Sequence, residues 1–306
     1  MKRLLDLLPA PLVQFIHLTR PFFLLGGFLL YALGAGLARY LGHPLDWTAY
    51  WLGQGCVTML QLSAHYLNEY YDADIDQENP NRTLFTGGSG AMGLPKRTAL
   101  LAALACLTVG AVFTVLLYRD HYLNGPALVV LAFAFLGSFF YSSPPFRLVS
   151  TGYGELTTSI LVANLVPAFA FLLQTGEVHR LLAMVTFPLT FLHLAMLMAF
   201  SLPDYGTDLK FNKKTAMVRL GWQRGMGLHN LLIPLAYLVL VLAVVQGMPM
   251  RLAWPGFLTI PVGIFQIWQM NQIAEGKKPR WQLLTFTALA LFGMTAYFLT
   301  LSFWTG

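Results

Sequence analysis

The chain has 306 residues, of which 57% are hydrophobic and only 10% are charged, and its mean hydropathy is +0.61. A soluble chain carries about a quarter charged residues, so the composition excludes a soluble domain and predicts an integral membrane protein. The net charge of +6 does not indicate nucleic acid binding, because the basic residues follow a membrane topology. Cys56 and Cys106 lie singly in apolar runs and indicate neither a disulfide framework nor a cysteine metal site.

The predicted elements begin with residues 1–20, which hold Lys2, Arg3 and a short apolar stretch interrupted by prolines. We expect a retained interfacial segment there rather than a cleaved signal peptide. Hydropathy then predicts nine spans, most of which approach the roughly 20 residues that cross a bilayer. They are Phe22–Tyr40, Trp47–Tyr66, Thr98–Leu117, Pro126–Tyr141, Gly154–Leu173, Leu181–Leu202, Leu228–Gln246, Leu252–Asn271 and Leu283–Phe303. The expected fold is one all-α membrane domain over residues 1–306.

The orientation of this domain follows from its basic residues. With the N-terminus in the cytoplasm, 15 of the 19 Lys and Arg residues fall in cytoplasmic segments. The four on the far side are Arg39, Arg119, Arg180 and Arg251. Because basic residues concentrate in cytoplasmic loops, this asymmetry favours the orientation strongly. It places the acidic motifs described next at the cytoplasmic face of the cell membrane.

The segment 68–76 concentrates carboxylates at the end of the second predicted span. Asn68, Asp72 and Asp76 are spaced by four residues, so they share one helix face, with Glu69 beside them. A carboxylate costs about 2.5–3.5 kcal/mol at mid-depth in a bilayer, so the cluster indicates that a cation is held. Oxygen ligands without His or Cys suit Mg²⁺ rather than zinc. A solvated acidic helix end is the alternative interpretation.

Asp204 and Asp208 repeat this spacing after the sixth predicted span. The segments 68–97 and 204–224 are therefore expected as two cytoplasmic motif loops that face each other across the bundle. Facing carboxylate clusters can hold Mg²⁺ ions that grip a diphosphate and neutralise its charge as it leaves. Three basic residues follow the motifs and are candidate diphosphate ligands: Arg82, Lys213 and Lys214.

Polar side chains inside or beside the predicted spans are further candidates. His65 lies one turn before Asn68 and would face a cavity on that side, a hydrogen-bonded packing histidine being the alternative. Asn164, Gln174 and His193 are further polar residues of the apolar runs. Glu155 lies near the cytoplasmic rim, where it could position a basic loop residue or an acceptor.

These residues resemble the motifs of the UbiA superfamily of membrane prenyltransferases. Asn68-Glu69-x-x-Asp72-x-x-x-Asp76 is similar to its Asn-Asp-x-x-Asp-x-x-x-Asp motif, with Glu69 as the departure. Asp204-x-x-x-Asp208 followed by Lys213-Lys214-Thr215 is similar to its second motif. Further matches are Arg20-Pro21, Asn81-Arg82-Thr83, Tyr141 to Pro145 and Gly154-Glu155-Leu156. The resemblance covers nearly the whole chain.

The resemblance implies about nine transmembrane helices around a central cavity that is capped on the cytoplasmic side and open laterally to lipid. It implies transfer of a polyprenyl group from its diphosphate to an aromatic acceptor with Mg²⁺, the four motif aspartates being catalytic. The implied metal ligands are Asn68, Glu69, Asp72, Asp76, Asp204 and Asp208. The implied substrate-binding residues are Asn68, Arg82, Lys213, Lys214, Tyr141, Arg147, Glu155, Asn164 and His65.

The acceptor is suggested by two runs, Gly154-Glu155-Leu156 and the nine residues 213–221. Both look more like the branch that prenylates 1,4-dihydroxy-2-naphthoate for menaquinone than the 4-hydroxybenzoate branch. Another acceptor, including a lipid, and a terpene cyclase of the same superfamily remain alternatives. A cation-coupled transporter fits less well, because transporter carboxylates usually lie near the bilayer midplane. Apart from membrane lipid and the two substrates, we expect no nucleic acid and no obligate protein partner.

Overall fold

The computed structural model describes residues 9–89 and 94–306, and the regular structure within them is helical. The exception is one isolated bridge between Thr151 and Lys214. The helices are α1 (Ala10–Thr19), α2 (Pro21–Tyr40), α3 (Trp47–Gln77), α4 (Lys96–Arg119), α5 (Gly125–Ser142), α6 (Gly154–Thr175), α7 (Arg180–Lys210), α8 (Ala216–Leu220), α9 (Trp222–Val245), α10 (Met250–Phe257), α11 (Ile260–Ala274) and α12 (Trp281–Thr305). The predicted all-α membrane fold is therefore confirmed. Lys2 and Arg3 lie outside the described residues.

Seven helices of the described chain are long and apolar enough to cross a membrane: α2, α4, α5, α6, α7, α9 and α12. The second predicted span corresponds to α3, which is less apolar because Gln54 and Gln61 lie within it. The eighth corresponds to α10 and α11, which are separate helices. The predicted number of nine spans is therefore not confirmed, although helix occurs at each predicted position.

Both acidic motifs lie on the last turns of unusually long helices. α3 and α7 each have 31 residues, which corresponds to roughly 46 Å and exceeds the hydrocarbon thickness of a bilayer. Asp46 begins α3 by accepting hydrogen bonds from the amides of Thr48 at 2.8 Å and Ala49 at 3.0 Å. The segments 68–97 and 204–224, expected as loops, thus begin as helix. Because α3 and α7 remain helical through the motifs, the carboxylates spaced by four residues lie on one face of each helix.

Small residues allow α2 to pack closely at the end opposite the motifs. A Cβ at Gly34 would lie 2.0 Å from the carbonyl oxygen of Pro167, and one at Gly36 would lie 2.7 Å from the Trp304 ring. Gly26 on α2 and Gly293 on α12 instead face open space, since a Cβ at either would have no atom within 4 Å, whereas a Cβ at Gly27 would lie 2.3 Å from Oε1 of Gln61. The bundle therefore leaves room inside it beside Gly26 and Gly293, both of which line the cavity described below.

Polar contacts join the loops at each end of the bundle. Lys210 forms an ion pair with Glu78, which connects the end of α7 to the end of α3. At the opposite end, the Tyr122 hydroxyl donates to the carboxylate of Asp46 at 2.9 Å. The two acidic motifs consequently share one end of the molecule.

We predict that the motif end faces the cytoplasm, because most of the basic residues lie there. In a variant without the native cysteines, Asp74→Cys and Lys278→Cys should react with a membrane-impermeant thiol reagent only after cell lysis. Val178→Cys, exposed at the opposite end, is the matched control and should react in intact cells. Reaction at positions 74 and 278 without lysis would reverse the orientation.

Candidate active site

A cavity of about 520 Å³ lies inside the bundle and reaches both acidic motifs. Its polar end is lined by Arg20, Asn68, Asp76, Asp204, Asp208 and Lys213. The rest of the wall is mainly apolar and includes Phe23, Phe85, Phe169, Phe200 and Phe292. A cavity of this size and polarity is typical of a small-molecule site, with a few polar groups that orient an otherwise apolar ligand.

Asp72 is fully buried behind the polar end and lies between two cations. One carboxylate oxygen accepts from Arg147 Nη2 at 2.9 Å, and the other lies 3.0 Å from Lys213 Nζ. Asn68 Nδ2 donates to the latter oxygen at 3.2 Å. Removing an ion from water costs several kcal/mol, so a buried carboxylate requires such partners. Lys213 Nζ also lies 4.0 Å from Asp76 and thereby connects the loop after α7 with the first motif.

The carboxylates around Lys213 keep this side chain protonated. Burial alone would lower its pKa, but the charges of Asp72, Asp76 and Asp208 outweigh burial and raise the pKa of Lys213 above its ordinary value. Because the folded-state pKa is raised, this stabilisation is complete below the ordinary lysine pKa and is lost only in strongly alkaline solution. Lys213 is therefore a permanent positive charge at the polar end.

The second motif faces the same end from α7. Asn79 Nδ2 donates to Asp204 Oδ1 at 2.5 Å, and the Thr215 hydroxyl donates to Asp208 Oδ2 at 3.3 Å. The negative charges of Asp204, Asp208 and Asp76 act on one another, and this interaction is unfavourable. A bound cation would relieve the repulsion.

The oxygen donors at the polar end fit Mg²⁺ in their chemistry. Within residues 9–89 and 94–306, no three His, Cys, Asp or Glu side chains are close enough together to hold a metal ion by themselves. Mg²⁺ is usually bound by one or two carboxylates, with substrate phosphates and water as the remaining ligands. The dispersed carboxylates of Asp76, Asp204 and Asp208 therefore suit an ion that arrives with a diphosphate.

The loop after α3 folds over the carboxylates, and glycine makes the close approach possible. Gly87 and Gly88 have φ angles of +77° and +80°, a conformation that other residues rarely adopt. A Cβ at Gly88 would lie 2.8 Å from both Cβ and Oδ2 of Asp76. The following Gly90 lies outside the described residues. A larger side chain at position 88 would displace the loop or Asp76.

Glu69 joins this loop to the start of α2. Its Oε2 accepts from Arg20 Nη2 at 3.2 Å and from the Ser89 amide at 3.2 Å. Arg20 Nη2 also lies 3.4 Å from Asn68 Oδ1. Arg20 thus brings a second positive charge to the polar end, beside Lys213.

Glu155 holds the loop of the second motif against α7. Its carboxylate accepts from the Ala216 amide, which lies 3.0 and 3.1 Å from the two oxygens, and from the Ser201 hydroxyl at 3.0 Å. An acidic group at a helix start is favourable because the first backbone amides have no helical partner. Glu155 therefore fixes the start of α8 next to Thr215, which bonds to Asp208.

Eight residues of the predicted site line the cavity: Asn68, Asp76, Asp204, Asp208, Lys213, Tyr141, Glu155 and His65. Asp72, Glu69 and Arg147 lie behind its wall in the hydrogen bonds and ion pairs described above. Asp72 is thus enclosed by basic groups in this structure, whereas the sequence motif alone predicts a carboxylate that is free to bind Mg²⁺.

Three other predicted residues lie outside the cavity. The Arg82 side chain packs beside Gly87, where it would meet an added Cβ at 2.6 Å. Lys214 is exposed. Asn164 donates to the Thr190 hydroxyl and so joins α6 to α7.

Ser201 lines the cavity and was not a candidate from the sequence, whereas Arg20, Thr215 and His193 were named there without an assigned role in the site. The position of Arg20, directly before a proline that begins a span, is a usable sequence signal for a residue at a membrane rim. Ser201 carries no comparable signal, because isolated hydroxyls in apolar helices usually bond to their own backbone.

A helical membrane bundle that encloses an apolar cavity with one polar end is typical of an enzyme or a carrier that binds an amphiphile. Similarity to known proteins distinguishes between these two classes. The model of the UbiA prenyltransferase family matches residues 27–290. The chain belongs to the UbiA prenyltransferase family and is a membrane prenyltransferase.

Two relatives and one solved structure illustrate the similarity. The 1,4-dihydroxy-2-naphthoate octaprenyltransferase of Bacillus subtilis (strain 168) is 24% identical over 247 residues, covering 80% of this chain and 78% of that protein. The protein of the same name from Mycobacterium tuberculosis is 28% identical over 235 residues, covering 74% and 76%. A UbiA homolog from Archaeoglobus fulgidus bound to GPP and Mg²⁺ shares the fold, with a TM-score of 0.68 and 16% identity over 94% of this chain and 99% of that one.

Removing the Asp72 carboxylate should destabilise the protein, because Lys213 and Arg147 would lose their shared partner. We expect Asp72→Asn to lower the free energy of unfolding by about 3 kcal/mol, measured as a lower unfolding midpoint in detergent with EDTA. Asp204→Asn should leave the midpoint unchanged or raise it, since it removes a repelling charge. Asp74→Asn, exposed on the same helix as Asp72, is the control. Equal midpoints for the variants at 72 and 74 would contradict the structural role of the ion pairs.

Proposed function

We propose that this protein transfers a polyprenyl group from its diphosphate to 1,4-dihydroxy-2-naphthoate, with Mg²⁺, as a step of menaquinone synthesis. The observation that carries the proposal is the cavity, in which a polar end of mixed charge continues into an aromatic and aliphatic body. That division matches a substrate with a charged diphosphate and a long apolar chain. The names of the Bacillus and Mycobacterium relatives favour the naphthoate as acceptor.

The polar end would bind the diphosphate. Mg²⁺ would be held by the carboxylates of Asp76, Asp204 and Asp208, with Asn68 and Glu69 nearby, and when bound it would neutralise charge on the departing diphosphate. Lys213 and Arg20 supply positive charge to the same oxygens. Asp72 orients Lys213, and Arg147 in turn holds Asp72.

An aromatic cluster lies where the first carbons of the prenyl chain would be. The Phe85 and Phe200 rings stack with centroids 5.8 Å apart, and Phe23 meets each of them edge-on at 6.3 Å. All three line the cavity, and Phe200 lies one turn before Asp204. Aromatic faces attract positive charge, so this cluster would stabilise the allylic cation that forms as the C–O bond breaks. The apolar wall also excludes water, which would otherwise capture the cation.

The acceptor would attack from the remaining part of the cavity. The two ring oxygens of the naphthoate raise the electron density on the carbon that bonds to the allylic cation. Loss of its carboxylate restores the aromatic ring after attack, so this acceptor does not require a strongly basic side chain at that carbon. Tyr141 and Glu155 line the cavity beside the second motif and could contact the acceptor.

The acceptor prediction is tested with purified protein, Mg²⁺ and polyprenyl diphosphates of several lengths. We expect a prenylated product by mass spectrometry with 1,4-dihydroxy-2-naphthoate and none with 4-hydroxybenzoate at the same donor concentration. Product from the benzoate alone would contradict the naphthoate as acceptor. A cyclised terpene with neither acceptor consumed would contradict prenyl transfer to a ring.

The metal and diphosphate site is tested by charge removal. Asp76→Asn, Asp204→Asn and Asp208→Asn should each lower turnover by roughly 100-fold or more, because each removes a group that stabilises the departing diphosphate. Asp74→Asn lies on the same helix, is exposed, and should keep normal turnover. Glu69→Asp should be tolerated because the charge is kept. EDTA should abolish turnover and added Mg²⁺ should restore it; normal turnover of all three cavity variants would refute the site.

A further inference from the structure

His193 on α7 lines the cavity, and its hydrogen bonds define which ring nitrogen carries the proton. The Ser159 hydroxyl donates to the carbonyl oxygen of Glu155 at 2.8 Å. A hydroxyl has only one proton, so at its 3.0 Å contact with His193 Nδ1 the Ser159 oxygen must accept. Nδ1 therefore carries the hydrogen, and Nε2 of the neutral imidazole presents a lone pair.

The Nε2 atom faces the cavity without a protein partner. Among the described residues, no donor bonds to Nε2. The atom is nevertheless not fully enclosed by protein, and His193 lines the cavity. The imidazole is otherwise enclosed, and it meets the Phe292 ring edge-to-face with centroids 4.8 Å apart. A hydrogen-bond acceptor is thus held rigidly in a largely apolar wall, where leaving it unpaired is unfavourable.

The depth of His193 suits an acceptor ring rather than the diphosphate. It precedes Asp204 by 11 residues on the same helix, which corresponds to roughly 16 Å along the axis. This distance accommodates a diphosphate at the polar end and, beyond it, an acceptor ring placed against the reacting carbon of the prenyl chain. The aromatic cluster of Phe23, Phe85 and Phe200 lies between the two levels.

A second cavity histidine, His65, is oriented in a comparable way, but it lies one turn before Asn68 and so at the level of the diphosphate rather than of the acceptor ring. Its Nδ1 lies 3.1 Å from the backbone carbonyl of Thr19, which can only accept, so its Nε2 also has a lone pair. The neighbours that bond to or stack on His193 in the described chain, Ser159 and Phe292, are neutral.

We propose that His193 Nε2 binds a ring hydroxyl of the aromatic acceptor and takes its proton as the prenyl group is transferred. This inference rests on the proposed function, since it requires an acceptor with a ring hydroxyl. The O–H pair becomes the π bond of a ring carbonyl, and a ring π pair forms the new carbon–carbon bond. The electrons of the breaking C–O bond leave with the diphosphate, and the proton stays on His193 until product leaves. Ser159 positions the imidazole.

The test compares His193→Phe with His193→Gln in purified protein that retains a wild-type unfolding midpoint. Phe keeps a ring against Phe292 but has no acceptor, whereas the Gln side-chain oxygen can lie near the position of Nε2. We expect His193→Phe to lower transfer by about 10²–10⁴-fold, the range for a lost general base, with a raised acceptor KM and an unchanged donor KM. His193→Gln should recover acceptor binding but only part of the rate.

Two further variants separate a functional role from a structural one. His229 on α9 is equally buried, lies outside the cavity and bonds to Asn230, so His229→Phe is the matched control and should keep the wild-type donor and acceptor KM. Ser159→Ala should lower the transfer rate less than His193→Phe, because the imidazole stays but is no longer held. If His193→Phe does not fold, His193→Gln and Ser159→Ala carry the comparison.

The outcomes distinguish this inference from the proposed function. If the wild-type protein prenylates the naphthoate and the His193 variants retain both acceptor KM and rate, the role of His193 is refuted and the function stands. If the wild-type protein prenylates another hydroxylated ring instead, the naphthoate is refuted as the acceptor. The same variants are then measured with that ring, and unchanged acceptor KM and rate would refute the role of His193. Equal increases in donor and acceptor KM would indicate a structural effect and would also refute the role.

Discussion

The site depends on one interaction: positive charges compensate the carboxylates that are crowded together at one end of an apolar cavity. The carboxylates of Asp76, Asp204 and Asp208 face one another there, and Asp72 is buried behind them. Lys213 reaches across from the second motif and pairs with Asp72. Such charges are costly in a membrane protein unless paired, and in the function proposed above a charged ligand compensates them.

The geometry of this charge cluster follows from the two longest helices. α3 and α7 continue beyond the apolar segment, and their last turns carry the motifs toward each other. Gly87 and Gly88, which follow α3, lie against these carboxylates, and a side chain at position 88 would collide with Asp76. Gly26 and Gly293 leave interior space beside the helices, while Gly34 and Gly36 pack closely. The charge cluster, the cavity beside it and the residues that lie over the carboxylates therefore all follow from the same helix arrangement.

The helical class and the pairing of the two motifs could be predicted from sequence, because hydropathy and four-residue spacing are local properties. The predicted number of spans is not confirmed, since α3 is polar within its length and the eighth predicted span is divided into two helices. The burial of Asp72 between Arg147 and Lys213 depends on contacts 75 and more residues apart. The orientation of the His193 ring likewise depends on Ser159, which no pattern around either residue indicates.

The most direct measurement of this account is the binding of a non-reactive thio analogue of a polyprenyl diphosphate to purified protein, with and without Mg²⁺. If the carboxylates hold the diphosphate through a divalent cation, binding should be tight with Mg²⁺ and at least 100-fold weaker in EDTA, a difference of about 2.7 kcal/mol. Asp204→Asn should remove most of the Mg²⁺ dependence. Equal affinity with Mg²⁺ and with EDTA would contradict the account, because Lys213 and Arg20 alone would then hold the diphosphate.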